Sequence, residues 1–219
     1  MSALAVTLVA TTSHAAKPKV VSFGRWLTVK WMVGSEETTP REMKVRSLMV
    51  NGDPKEFITG EPHTVTDKIF VVRRAIRLND TLPGEEETKP QWKWHPAGWL
   101  MVDKASARIT KLSLPDFDSY YSSQASWYRD YIAYCGVGDG GDRLYAMVVQ
   151  IGRRKPIVRK LLGGIKNGEL PESECELPVW QKEPARVTFQ PKGGEKISFA
   201  VRSHATELPP DDSADESTQ

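Results

Sequence analysis

Three aspartates, Asp116, Asp118 and Asp130, stand among aromatic residues, the company that a pair of catalytic carboxylates keeps in glycoside hydrolysis. That chemistry needs two carboxyl groups facing each other across roughly 5 to 9.5 Å, with one of them holding its proton at working pH. Sequence spacing does not supply such a pair, and Pro115 makes the first two read more simply as turn residues. His63, His95 and His204 are too scattered for a metal-binding pattern, and the chain has neither HExxH nor GxSxG. The glycine run Gly136, Gly138, Gly140, Gly141 superficially offers a phosphate loop. A phosphate loop, however, opens a helix whose N-terminus holds the anion, and here a strand-like run follows. Asp139 and Asp142 in the same turn are too few oxygen ligands for a calcium loop. These patterns assign no catalytic residue, no metal and no cofactor.

Binding chemistry has the stronger local signal. Seven of the 19 aromatic residues fall between Phe117 and Tyr134. Within that stretch Tyr120, Tyr121, Trp127, Tyr128 and Tyr131, with Arg129 beside them, form the candidate binding set: flat rings stack on sugars or peptides while a cation fixes orientation. Ser119, Ser122, Ser123, Gln124 and Ser126 interrupt the rings, a mixture that suits a surface loop. The competing reading is a loop whose rings plug the end of the core. Trp92, Trp94, His95 and Trp99 form a smaller cluster with the same ambiguity.

The elements that carry these residues have a period of two. Leu27, Val29, Trp31 and Val33 alternate with Trp26, Thr28, Lys30 and Met32; Val187 and Phe189, then Ile197, Phe199 and Val201, alternate with polar neighbours. Phe70, Val72, Ile76 and Leu78 share a face interrupted by Arg74, with Arg73 and Arg77 on the other. Hairpin signals lie between the runs at Asn51-Gly52, Asp139-Gly140, Gly163-Gly164, Asn167-Gly168 and Gly193-Gly194. Strands are expected over 25–33, 43–50, 55–59, 67–78, 91–102, 108–114, 130–137, 143–151, 156–161, 186–190 and 196–202, with long loops at 79–90 and 162–178. The fold class is therefore all-β with antiparallel sheets, and basic runs at Arg73-Arg74 and Arg153-Arg154-Lys155 read as solvated edges.

Segment 130–161, with its Asp139-Gly140 hairpin flanked by Tyr131–Cys135 and Leu144–Val149, resembles a β-propeller blade. Trp99–Leu114 looks like the outer pair of a preceding blade. The resemblance implies stacked four-stranded sheets, but about eleven strands are too few to close a ring of four or more blades. The alternatives are a propeller-blade-like open stack and a β-sandwich. The wider chain is similar to bacterial exported proteins without a defined activity.

Composition fits this picture. With 219 residues, 39% hydrophobic and 26% charged, the chain can build one large core. Residues 1–16, with the apolar run Ala3–Ala10 and small Ser13 and Ala15, read as a signal peptide cut after Ala15 or Ala16, although no Lys or Arg precedes the run. That run is about half the ~20 apolar residues a membrane span needs. Residues 17–206 form the expected single domain, and 207–219 an acidic, disordered tail holding Glu207, Asp211, Asp212, Asp215 and Glu216. Removing those five acids from the net +2 leaves +7 on the body, too little and too dispersed for a nucleic-acid-binding domain. Export to a secreted or periplasmic location would let the only two cysteines, Cys135 and Cys175, pair. The functional expectation is a non-catalytic extracytoplasmic binding or scaffolding module for a glycan, a cell-wall component or another exported protein. The alternative is a hydrolase of cell-wall or polysaccharide material that uses Asp116, Asp118 or Asp130.

Overall fold

Asn51 and Gly52 both take positive φ, 55° and 86°, the geometry that a two-residue hairpin turn demands and that these residue types tolerate. They join β3 (Arg41–Val50) to β4 (Asp53–Thr64) in a computed structural model that describes residues 19–31, 41–79, 92–119, 122, 125–165, 175–201 and 205–208. The chain continues as an antiparallel meander through β5 (Ile69–Asn79), β6 (Trp92–Asp103) and β7 (Arg108–Lys111). Upstream, β1 (Val21–Phe23) and β2 (Leu27–Trp31) pair one after the other along β3, completing a seven-stranded sheet.

Two four-stranded meanders follow. The second sheet runs β8 (Ala125–Tyr128), β9 (Tyr131–Val137), β10 (Arg143–Gln150), β11 (Val158–Gly164), each paired with the next. The third runs β12 (Val179–Gln181), β13 (Arg186–Phe189), β14 (Ile197–Val201), β15 (Ala205–Leu208) in the same manner. All pairing is antiparallel, the described residues contain no helix, and no sheet closes into a barrel.

The core explains the layering. On one face of the second sheet Ala133, Cys135, Ala146 and Val148 pack with Val187, Phe189, Phe199 and Val201 of the third. On its other face Ile132, Tyr134, Met147 and Val149 pack with Val71 and Trp99 of the first. The second sheet is thus the middle layer. This is why β9 and β10 read as continuous apolar runs and not as an alternation: neither face is wet. The first sheet keeps a separate cluster, Leu48, Ile58, Phe70, Val72, Leu100 and Val102, on the face turned away from the second. Each such side chain contributes about 1.5–3 kcal/mol by leaving water.

Several local expectations change. Gly163-Gly164 lies within β11, paired with Leu144 and Arg143, and is not a turn. Residues 125–128, expected as surface loop, form β8, and β4 extends to Thr64. Arg73, expected on a solvated edge, is only 8% exposed. β15 reaches Leu208, so Glu207 sits in a strand, while residues 209–219 lie outside the described residues. So do the proposed signal peptide, Asn167-Gly168, His204, and Met32 and Val33.

Candidate functional site at the seam of the three sheets

Irregularities in two strands of the first sheet prepare the site. Between Thr59 and His63 the ladder shifts, with Gly60 at φ 70°, so that His63 comes opposite Val71 on the face that meets the second sheet. Between Arg73 and Ala75 the partner strand β6 carries an extra residue, and the Ala97 carbonyl accepts a hydrogen bond from Arg73 Nε at 3.0 Å.

His63 meets the aromatic stretch. Its ring stacks on Trp127 of β8 with centroids 5.6 Å apart and planes at 21°, and its Nε2 lies 2.7 Å from the Arg129 carbonyl. Trp127 also meets Trp99 edge to face at 5.2 Å. The indole N–H groups of Trp99 and Trp127 are buried and have no acceptor among the described residues. Arg129 takes φ 54° at the tight turn between β8 and β9 and holds its exposed guanidinium 5.2 Å from the Tyr128 ring.

On the other side the same hairpin reaches the third sheet. Tyr128 and Tyr131 lie 5.5 and 6.4 Å from Trp180 of β12. Tyr128 donates to the Lys182 carbonyl at 3.2 Å, Ser126 donates to the Pro178 carbonyl, and Trp180 donates to the Ser126 carbonyl at 3.3 Å. Along β8, an edge strand of the middle sheet, half-buried rings thus lie on both faces: Trp127 against His63 and Trp99 of the first sheet, and Tyr128 against Trp180 of the third. The structure brings together Trp127, Tyr128, Arg129 and Tyr131, whereas Tyr120 and Tyr121 lie outside the described residues. Sequence reasoning missed His63 and Trp180 as partners, since neither bulge nor inter-sheet contact leaves a local pattern.

The aspartates have structural partners. Asp116, at φ 51°, accepts from Arg159 Nε at 2.7 Å, and its carbonyl accepts from Val137 N–H at 2.8 Å. Arg159 in turn covers the Tyr145 ring at 3.9 Å, and the Asp116 hydrogen bond holds its guanidinium above the usual arginine range. Asp118 N–H donates to Ser122 Oγ at 3.1 Å, and the Asp118 carbonyl accepts from Ser122 N–H at 2.8 Å. Asp130 accepts from Gln150 Nε2 at 2.8 Å. Tyr134, fully buried, donates its hydroxyl to the Pro115 carbonyl and meets Phe117 edge to face at 5.2 Å. Burial pushes its phenol well above the ordinary range, and the Asp116 charge adds to this. Residues 115–119 are thus a strap between the first and second sheets. Arg73 holds its far end by donating to the Ser119 carbonyl at 2.8 Å, under burial that lowers the guanidinium to about 10.

Of the glycine run, Gly136 lies within β9, and Gly138, Gly140 and Gly141 belong to the turn from β9 to β10, with Gly141 at φ 71° and a strand after it. Among the described residues no group of three or more His, Cys, Asp or Glu side chains converges. No helix there is long and apolar enough to cross a membrane. Cys135 and Cys175 form a disulfide, their Cα atoms 6.3 Å apart, which ties the start of the third sheet onto β9. No family model matches the chain, and no curated protein or solved structure matches it.

Proposed function

We propose that the chain is a non-catalytic extracytoplasmic module that binds or scaffolds through the β8 edge, presenting Trp127, Tyr128, Arg129 and Tyr131 beside His63 and Trp180. The ligand class is a glycan, a cell-wall component or another exported protein. The observation that supports it is that one edge strand carries half-buried rings on both of its faces, with an exposed guanidinium at its turn. Rings of this kind offer large contact area at small side-chain entropy cost. Tyr120 and Tyr121 belong to the same proposed surface by sequence. The disulfide and the short apolar N-terminal run support export through an oxidising compartment, with processing after Ala15 or Ala16.

The hydrolase alternative has less support, because Asp116 and Asp130 already serve Arg159 and Gln150. Cosedimentation with insoluble cell-wall glycan, paired with an assay for released reducing ends, separates the two. The module should sediment saturably and release nothing, and Tyr128→Ala combined with Arg129→Gly should weaken sedimentation about tenfold or more, equivalent to about 1.4 kcal/mol. Equal sedimentation by the double variant overturns the assigned surface, and released sugar overturns the non-catalytic reading.

A further inference from the structure

On the face of the first sheet turned away from the second lies a cavity of about 380 Å³, remote from the β8 edge and independent of it. Among the described residues it is lined by Val50, Leu100, Ala107 and Ile109, of which Leu100 is fully buried and Ile109 half-buried, and by three lysines, Lys19, Lys55 and Lys111, from three separate segments. The one acid in its lining among the described residues, Glu56, is engaged by Arg74 at 2.8 Å. Lys55 makes a loose, exposed ion pair with Asp53 at 3.6 Å.

Three features of the backbone aim at this cavity. First, the ladder slips between Leu48 and Met49: Glu56 pairs with Leu48 and Pro54 with Met49, leaving Lys55 as an extra residue in β4. In a regular strand consecutive side chains point to opposite faces, yet Lys55 and Glu56 both line this cavity. The bulge re-aims the lysine. Second, the Asn51 side chain accepts from Val20 N–H, and Asn51 N–H donates to the Val20 carbonyl, both at 2.9 Å, so the β3–β4 turn clamps the segment that carries Lys19. Third, Ala107 is held at φ 54° and is 9% exposed, a left-handed conformation that any residue with a Cβ resists. Ala107 forms part of the lining.

We infer that this cavity is a binding site for a small amphiphilic anion, an apolar body carrying a phosphate or carboxylate head. The apolar walls take the body and the three lysines the head. The volume falls within the range of small-molecule sites, about 300 to 1,000 Å³. Charge selects the ligand: among the described residues the lining sets three cations against one acid already paired, around a partly apolar floor.

The test is calorimetric titration of the full chain with monomeric octyl phosphate, with octanol, inorganic phosphate and phosphatidylglycerol vesicles as separate arms. Octyl phosphate should bind one to one. Octanol and inorganic phosphate should each bind at least about tenfold more weakly. Raising salt from about 0.01 M to about 0.15 M should weaken binding, as for partly exposed charges. The combined Lys55→Ala and Lys111→Ala variant should lose about tenfold or more while its thermal melt stays in place, because both side chains are exposed. Amide shifts of Leu100, Ala107 and Ile109 should move on binding. Absence of octyl phosphate binding at millimolar concentration, affinity for octanol equal to that for octyl phosphate, or an unaffected double variant overturns the site. So does binding to vesicles without binding to soluble octyl phosphate. If the double variant melts early, the single Lys111→Gln variant and the salt series decide by the same criteria.

Discussion

Arg73 and Ser119 are 46 residues apart in sequence, and the Arg73 guanidinium donates to the Ser119 carbonyl at 2.8 Å. The same side chain donates to Ala97 and lies 5.6 Å from the Phe117 ring. One buried arginine therefore closes the strap onto the first sheet. Arg73→Met removes the donor from two carbonyls that have left water, and each such loss is worth about 1–3 kcal/mol. The variant should unfold at lower denaturant, followed by Trp fluorescence. Arg73→Lys should not restore it, because a single ammonium on a flexible stem does not reproduce the fork. A Lys variant as stable as the parent would show that charge alone suffices.

Gly136 sits where the strap crosses β9. A Cβ there would lie 2.8 Å from the Asp116 carbonyl oxygen and 2.8 Å from Met147 Cγ. Gly136→Ala should therefore destabilise, by about 1–3 kcal/mol as overpacking does. In the same melt Gly163→Ala, with nothing within 4 Å of its added methyl, should be close to neutral. Equal stability of both variants and the parent would mean that the strap yields freely.

Tyr134 has its phenol raised above the ordinary value of 10.0 by burial, with a further push from Asp116. The folded state thus holds this proton more tightly than the unfolded chain does. The resulting stability is complete below pH about 10 and declines as pH rises beyond it. In a phenolate absorbance titration this ring should stay silent until the protein unfolds, and Tyr134→Phe should remove one such silent group. Ionisation of every tyrosine near the ordinary value in folded protein would contradict the burial argument.

Trp127 joins His63 and Trp99 by ring contacts while keeping part of its surface in water. Trp127→Ala should cost about 2 kcal/mol, below the ~3–5 kcal/mol of a fully buried large aromatic. A loss at the top of that range, with ligand binding unchanged, would make the ring core alone. An unchanged melt would remove its packing role.

The disulfide closes a 40-residue separation, worth about 4 kcal/mol through the entropy of the unfolded chain. Intact-mass analysis of denatured, unreduced protein should show no alkylatable thiol. The Cys135→Ala and Cys175→Ala variant should melt markedly earlier. A melt identical to the parent would show that packing of Val187, Phe189, Phe199 and Val201 holds the third sheet unaided.

What the residues alone determined was the material of the fold. Period-two runs such as Val187 to Val201 specify strands because one face is buried and the other wet, and Asn51-Gly52 specifies a hairpin because both residues accept positive φ. The pairing of Cys135 with Cys175 was legible because no other cysteine competes. The aromatic concentration from Phe117 to Tyr134 was equally visible, but its division was not. Tertiary structure alone buried Tyr134 against Phe117, set Phe117 near Arg73, and left Trp127 and Tyr128 on an edge. It also set His63 against Trp127, and Lys55 beside Lys19 and Lys111. The physical reason is register: irregularities in the ladders decide which residue meets which partner, and at Lys55 a single extra residue re-aims the side chain. Such slips are set by long-range packing between sheets, so no window of the sequence around His63, Arg73 or Lys55 contains them.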